Sequence, residues 1–183
     1  MSNYQQLAAR TMSDQFHGGP LAVVSILTFL EDTARTCAHL DILKKAMFYG
    51  KSLSPTYNAS GYETDLDAIL HRLHPDRKVA IDILHCVIGV ATEAGELIDA
   101  VTRAMRDQTN NGVDRVNLLE ELGDVQWYVA NLCSAAGANL HDVQQTNIAK
   151  LAKRYPDKFD SQQAIQRDLL AERTVLDEGA QRV

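Results

Sequence analysis

The sequence predicts an all-α fold, an antiparallel bundle of helices with extra helices at both ends. Three observations predict it. Ala and Leu together number 43 against 22 for Val and Ile, a composition that favours helix. Gly and Pro number only 10 and 4, so breakers are few and fall in clusters. No segment alternates apolar and polar residues with a β-branched bias, so no strand is expected.

The first helix is expected over Tyr4 to Gln15, stopping at Gly18-Gly19-Pro20. The second runs from Leu21 to Tyr49 and ends at Gly50. The stretch Lys51 to Glu63 carries Pro55, Asn58, Ser60 and Gly61 and reads as a mobile loop. A short helix, Asp65 to His74, stops before Pro75, because the residue before a proline disfavours the α region. A long helix follows from Asp76 to Asp107, and Gln108 to Gly112 break it. The next spans Val113 to Ala136, with Gly137 closing it. Asn139 caps a helix to Arg154, stopped by Pro156. Asp160 or Ser161 caps a last helix running to Glu178. Short connections between successive helices point to antiparallel neighbours. The expected division is residues 1–75, 76–160 and 161–183: an N-terminal helical extension, a catalytic core and a C-terminal helix with its tail.

With 183 residues the chain can bury a core of its own without a disulfide or metal staple. The net charge of -6 argues against sequence-independent binding to a nucleic acid polymer, which needs a basic surface. Cys37, Cys86 and Cys133 have neither disulfide-framework nor zinc spacing and read as reduced cytoplasmic thiols. No run of 18 apolar residues occurs, so no membrane span is expected. The polar first ten residues do not read as a signal peptide.

The chemistry concentrates in two acidic pairs. Thr92-Glu93-Ala94-Gly95-Glu96-Leu97 puts Glu93 and Glu96 three residues apart, on one helix face. Glu120-Glu121-Leu122-Gly123-Asp124 repeats the spacing with Glu121 and Asp124 on the next helix. If these helices pack as neighbours, four carboxylates converge, and their repulsion calls for a cation. An all-oxygen set suits Mg2+, with Mn2+ as the other choice. Di-iron chemistry would need Glu-x-x-His pairs, and Glu96 and Asp124 stand where the histidines would be. Each pair taken alone is also a common pattern on a solvated helix face, so the residues leave metal binding and surface charge both open. Gly95 and Gly123 weaken their helices, which suggests a close approach by another helix or by a ligand.

These motifs, followed by Asn147-Ile148-Ala149-Lys150-Leu151-Ala152-Lys153-Arg154-Tyr155-Pro156, resemble the MazG-like branch of the all-α nucleoside triphosphate pyrophosphohydrolases, in its phage and bacterial form. The resemblance covers Val79 to Phe159 and extends weakly to Arg173; residues 1–75 carry none of it. It implies Mg2+-dependent cleavage of a (deoxy)nucleoside triphosphate to the monophosphate and pyrophosphate, in the housekeeping of nucleotide pools. It implies Glu93, Glu96, Glu121 and Asp124 as metal ligands, and Lys150, Arg154 and Asn147 as phosphate contacts. Tyr128, four residues after Asp124, is expected to reach the nucleotide. Many members begin the first motif with two acids where this chain has Thr92, so Glu120 enters as a base or supporting residue. The family also implies a homodimer or homotetramer, and the several apolar helix faces agree. Two alternatives remain from the sequence: a non-catalytic helical module that binds a nucleotide or a protein, and a hydrolase of another nucleotide such as an alarmone.

His85 lies eleven residues before Glu96, on nearly the same side of the helix. It reads as lining the nucleotide pocket, with a buried, hydrogen-bonded histidine as the other choice. Trp127 is expected in the core, with base stacking as the lesser option.

Overall fold

The computed structural model describes residues 4–13, 19–54, 65–109 and 111–181. Among them are eight helices and no strand, so the all-α expectation holds. They are α1 (Tyr4–Ala9), α2 (Pro20–Tyr49), α3 (Leu66–Leu73), α4 (Arg77–Arg106), α5 (Arg115–Ala135), α6 (Leu140–Arg154), α7 (Ser161–Ile165) and α8 (Leu169–Ala180). Most of the expected loop at Lys51 to Glu63 lies outside the described residues.

Side-chain caps mark the helix starts. Asp65, Asp76, Asp114, Asn139, Asp160 and Asp168 each accept a backbone N–H of the following turn, satisfying donors that a helix cannot bond internally. α2 begins instead on Gly19 with Pro20 in its first turn, and it ends on Gly50 in the left-handed region at φ 69°.

Two elements depart from the sequence reading. α1 ends at Ala9 rather than Gln15. There the Thr11 hydroxyl donates to the Ala8 carbonyl, and the Arg10 carbonyl accepts the N–H of Phe159, a tertiary bond no local pattern announces. The last helix is two helices. Asp168 turns its carboxylate onto the Ala171 N–H and starts α8 afresh, so the helix from Ser161 stops at Ile165.

The chain forms two compact units, residues 19–136 and residues 1–18 with 137–183. In the first, α4 is the central rod: α2 and α5 both pack along it, and α3 packs on it too. Gly95 lets α2 close in, since a Cβ there would stand 2.2 Å from the Cβ of Cys37. Gly89 admits the ring of Tyr128 in the same way, with a virtual Cβ 2.2 Å from its edge. At Gly123 no described atom comes within 4 Å of a virtual Cβ, so no neighbouring helix makes the close approach there. In the second unit, α6 packs on α8 and α1 on α6. Glu172 is buried there and takes a two-pronged grip from Arg154, Nε to Oε1 at 2.8 Å and Nη2 to Oε2 at 2.7 Å. Arg167 Nη2 adds a third strong bond to Oε2 at 2.6 Å.

Candidate metal centre

α4 and α5 are both long, and each carries an acid on the side facing the other. Ligand oxygens of Glu93, Glu96 and Glu121 lie within 4.8 Å of one another. Glu93 and Glu121 are buried, whereas Glu96 is open to solvent. Asn117, one turn before Glu121, donates its Nδ2 to Glu121 Oε1 at 2.7 Å and fixes that carboxylate. Asp124 and Glu120 are exposed on α5, outside this group of three.

The group opens into a cleft of about 570 Å³ between α2, α4 and α5. Thr102 lines the same cleft; its hydroxyl is buried and has no hydrogen-bond partner among the described residues. Such a group seeks a water or a ligand, because an unmet buried hydroxyl costs about 1–3 kcal/mol. Arg35 and Arg103 also line the cleft, the former paired with Asp32 and the latter with Asp99.

The electrostatics are those of crowded acids. Partial burial and the charges of Glu93 and Asp41 push the Glu96 carboxyl above its usual range. Burial and the charge of Glu96 push Glu121 up as well, against the opposing pull of Asn117. The donor set is all oxygen and anionic, the preference of a hard divalent cation, so the residues fit Mg2+ or Mn2+.

α2 supplies what the motifs omit. Lys44 is 3% exposed, and its Nζ donates to Thr92 Oγ1 and to Glu93 Oε1, each at 2.7 Å. It also lies 3.2 Å from Asp41, which pairs with Lys45 in turn. Burial opposes the charge on Lys44, but the bonds to Glu93 and Asp41 win, and its ammonium is held more firmly than usual. Thr92 is buried. Its single hydroxyl proton is shared between the Gly89 carbonyl at 3.0 Å and Glu93 Oε1 at 3.2 Å. Asp41, Lys44 and Lys45 were missed in the sequence. The available signal was three charges at helical spacing in an otherwise apolar turn, Leu40 to Tyr49.

Along α4 toward its start, an aromatic cluster adjoins Lys44. The Lys44 ammonium lies 5.2 Å from the centroid of the Tyr128 ring. Tyr128 is buried, and its hydroxyl pairs with that of Tyr49 at 3.1 Å. Burial and that bond push the Tyr128 phenol up to about 12. His85 is half-buried and stacks on Phe48 with centroids 4.1 Å apart. Burial, then the charge of Lys44, lowers its proton affinity, so it is neutral near pH 7. Trp127 is not in the core: it is 56% exposed and meets Tyr128 edge-on. It sits next to Tyr128 in sequence, on the side of α5 that turns away from α4.

Lys150 and Asn147 are half-buried on α6, in the other compact unit, as is Arg154. The guanidinium of Arg154 is engaged by Glu172, and its proton is held above the usual range by those bonds.

No helix among the described residues is long and apolar enough to cross a membrane. Residues 84–159 match the MazG nucleotide pyrophosphohydrolase domain. The Gene 37 protein of Mycobacterium phage L5 is 39% identical over 74 residues, which make up 38% of this chain and 63% of that protein. The chain thus spans a little under two thirds of this relative's length. No solved structure matches the chain.

Proposed function

We propose that the chain, whose residues 84–159 match the MazG nucleotide pyrophosphohydrolase domain, hydrolyses nucleoside triphosphates, deoxynucleotides included, to the monophosphate and pyrophosphate with Mg2+. The observation that carries the reading is the meeting of Glu93, Glu96 and Glu121 within 4.8 Å, with Glu96 and Glu121 at the wall of an open cleft. A solvated helix face does not bury two of three neighbouring carboxylates.

Glu93, Glu96 and Glu121 would hold the cation, with Asp124 as a fourth ligand from the next turn of α5. When bound, the cation supplies charge neutralisation for the phosphate oxygens. Glu96, the solvent-open member of the set, would orient an attacking water beside the cation. Glu120, beside Glu121, supports that water. Asn117 keeps Glu121 oriented through its 2.7 Å bond. The Thr102 hydroxyl offers a hydrogen bond to substrate or water in the same cleft. Lys150, Arg154 and Asn147 contact phosphate, and Tyr128 and His85 border the nucleotide; this part rests on the resemblance of the motifs.

Assembly as a homodimer or homotetramer belongs to the same reading. Val24, Ile26 and Phe29 on α2 are 65%, 55% and 71% exposed, and apolar surface of this kind favours a second copy.

The deciding experiment is pyrophosphate release from a panel of dNTPs and NTPs, with and without Mg2+. Metal-dependent release of equimolar monophosphate and pyrophosphate is expected. Release of orthophosphate alone, or of nothing with folded protein, would refute the reading.

A further inference from the structure

We propose that Arg167 is a second phosphate-contacting guanidinium, set beside Arg154 by the buried carboxylate of Glu172, and that the two take the oligophosphate chain of the substrate. The proposal deepens the function proposed above and rests on its placing of Arg154 at phosphate. Arg167 and Glu172 both lie beyond residues 84–159, the part of the chain that matches the family. The basis is a carboxylate with one partner more than it needs. Arg154 alone completes Glu172, its Nε and Nη2 reaching the two carboxylate oxygens at 2.8 and 2.7 Å. Arg167 lays the same edge on the same oxygens, Nη2 at 2.6 Å and Nε at 3.3 Å. One negative charge thus holds two positive ones. Neither guanidinium has another acidic partner among the described residues. Asp168, next to Arg167, turns its carboxylate to the Ala171 N–H instead.

The open end of this cluster is Arg167. Its side chain is 41% exposed, against 17% for Arg154. Its Nη1 has no hydrogen-bond partner among the described residues. Arg154 is closed in further by Tyr155, whose ring centroid lies 5.7 Å from the guanidinium carbon. Two guanidinium groups this close repel, and the carboxylate between them fixes their spacing in the folded chain. A phosphate arriving there meets surplus positive charge and a planar fork already held in place, the geometry by which arginine recognises phosphate. Lys150 stands one turn before Arg154 on the same face of α6 and adds a third cation to that side. A role confined to folding asks for one arginine on Glu172 and leaves the second, half-exposed one without a purpose.

The test is titration of the intact chain with inorganic tripolyphosphate, without metal and at low salt, by isothermal calorimetry, with folding checked by circular dichroism. The wild type should bind it. Arg167→Ala should bind it at least roughly tenfold more weakly, the loss of a charged hydrogen bond. Arg167→Lys keeps the charge without the fork and should fall between the two. Arg173→Ala removes the same charge from an exposed pair with Asp177 on α8 and should stay within about twofold of the wild type. Should Arg167→Ala not fold, Arg167→Gln keeps donors for Glu172 without the charge and should show the same loss. In pyrophosphate release, Arg167→Ala should raise KM for triphosphates at least roughly tenfold with a smaller change in kcat. A wild type that binds no tripolyphosphate, or a folded Arg167→Ala or Arg167→Gln chain with binding or KM unchanged from the wild type, would overturn the proposal and leave the hydrolase reading standing. Arg167-dependent binding in a wild type that releases no pyrophosphate would overturn the hydrolase reading, and with it the assignment of the two arginines to a substrate.

Discussion

Gly95 on α4 lies against Cys37 on α2 so closely that a Cβ at Gly95 would stand 2.2 Å from the Cβ of Cys37 and 3.0 Å from its sulfur. The Cβ of Cys37 is fixed to the α2 backbone and cannot swing aside. The contact sets the spacing of the two helices beside Glu96, and so the distance at which Asp41 and Lys44 meet the acids. Gly95→Ala should therefore lower stability by roughly 1–3 kcal/mol, the usual cost of overpacking, and weaken metal binding with it. Gly123→Ala is the matched control. Nothing lies within 4 Å of its virtual Cβ, so the gain in helix propensity should leave stability equal or up to ~1 kcal/mol higher. Urea unfolding of both variants checks the pair, and equal effects would break the argument.

The acids should separate activity from folding. Glu93→Gln, Glu96→Gln and Glu121→Gln are each expected to reduce pyrophosphate release at least a hundredfold at limiting Mg2+. Glu96→Gln removes one charge from a mutually repelling set and breaks no hydrogen bond to the described protein residues. Its stability without metal should match or exceed that of the wild type. Glu121→Gln keeps an oxygen for Asn117 to donate to, so its fold should also persist. Wild-type turnover in two of these variants would refute the assignment.

Arg154 is the residue where the structural and functional readings compete. Its two bonds to buried Glu172 mean that Arg154→Ala leaves a buried carboxylate with Arg167 alone, and roughly 3 kcal/mol of stability should go with it. Lys150→Ala should instead raise KM for triphosphates with little change in melting temperature. A raised KM in Arg154→Ala beyond any loss explained by unfolding would support phosphate contact by that residue too.

The same cluster carries a pH signature. Arg154 and Arg167 hold the Glu172 carboxyl down to about 2, well below its ordinary 4.5. A depressed carboxyl contributes stability that is fully present above pH 4.5 and drains away as the pH falls toward 2. Unfolding followed across this window should show a decline in the wild type that is flattened in Glu172→Gln. An identical slope in both would remove Glu172 from the acid response.

Assembly can be tested at α2. Light scattering at micromolar concentration should give at least a dimer, and Phe29→Asp, placed on 71%-exposed surface, should shift the mass toward monomer without unfolding the chain. An active wild-type monomer would remove the oligomer from the proposal.

The sequence by itself determined the helical class, most helix boundaries and the first acidic pair. These are local matters. Asp76, Asn139 and Asp160 cap the turns that follow them, and a three-residue spacing puts Glu93 and Glu96 on one face whatever the rest of the chain does. Where local signals competed, the reading slipped: Gln166 to Asp168 look helical, yet the Asp168 carboxylate prefers to cap Ala171.

Only the tertiary structure decided which acids meet and which cation answers them. Glu121 joins Glu93 and Glu96 while Asp124 stays exposed, an outcome of how α5 is rotated against α4. Trp127 ends up outside for the same reason. Lys44 reaches Thr92 across 48 residues of sequence, and Arg154 reaches Glu172 across 18. No periodicity carries such pairings. They exist because a buried charge must find its opposite wherever packing has placed it.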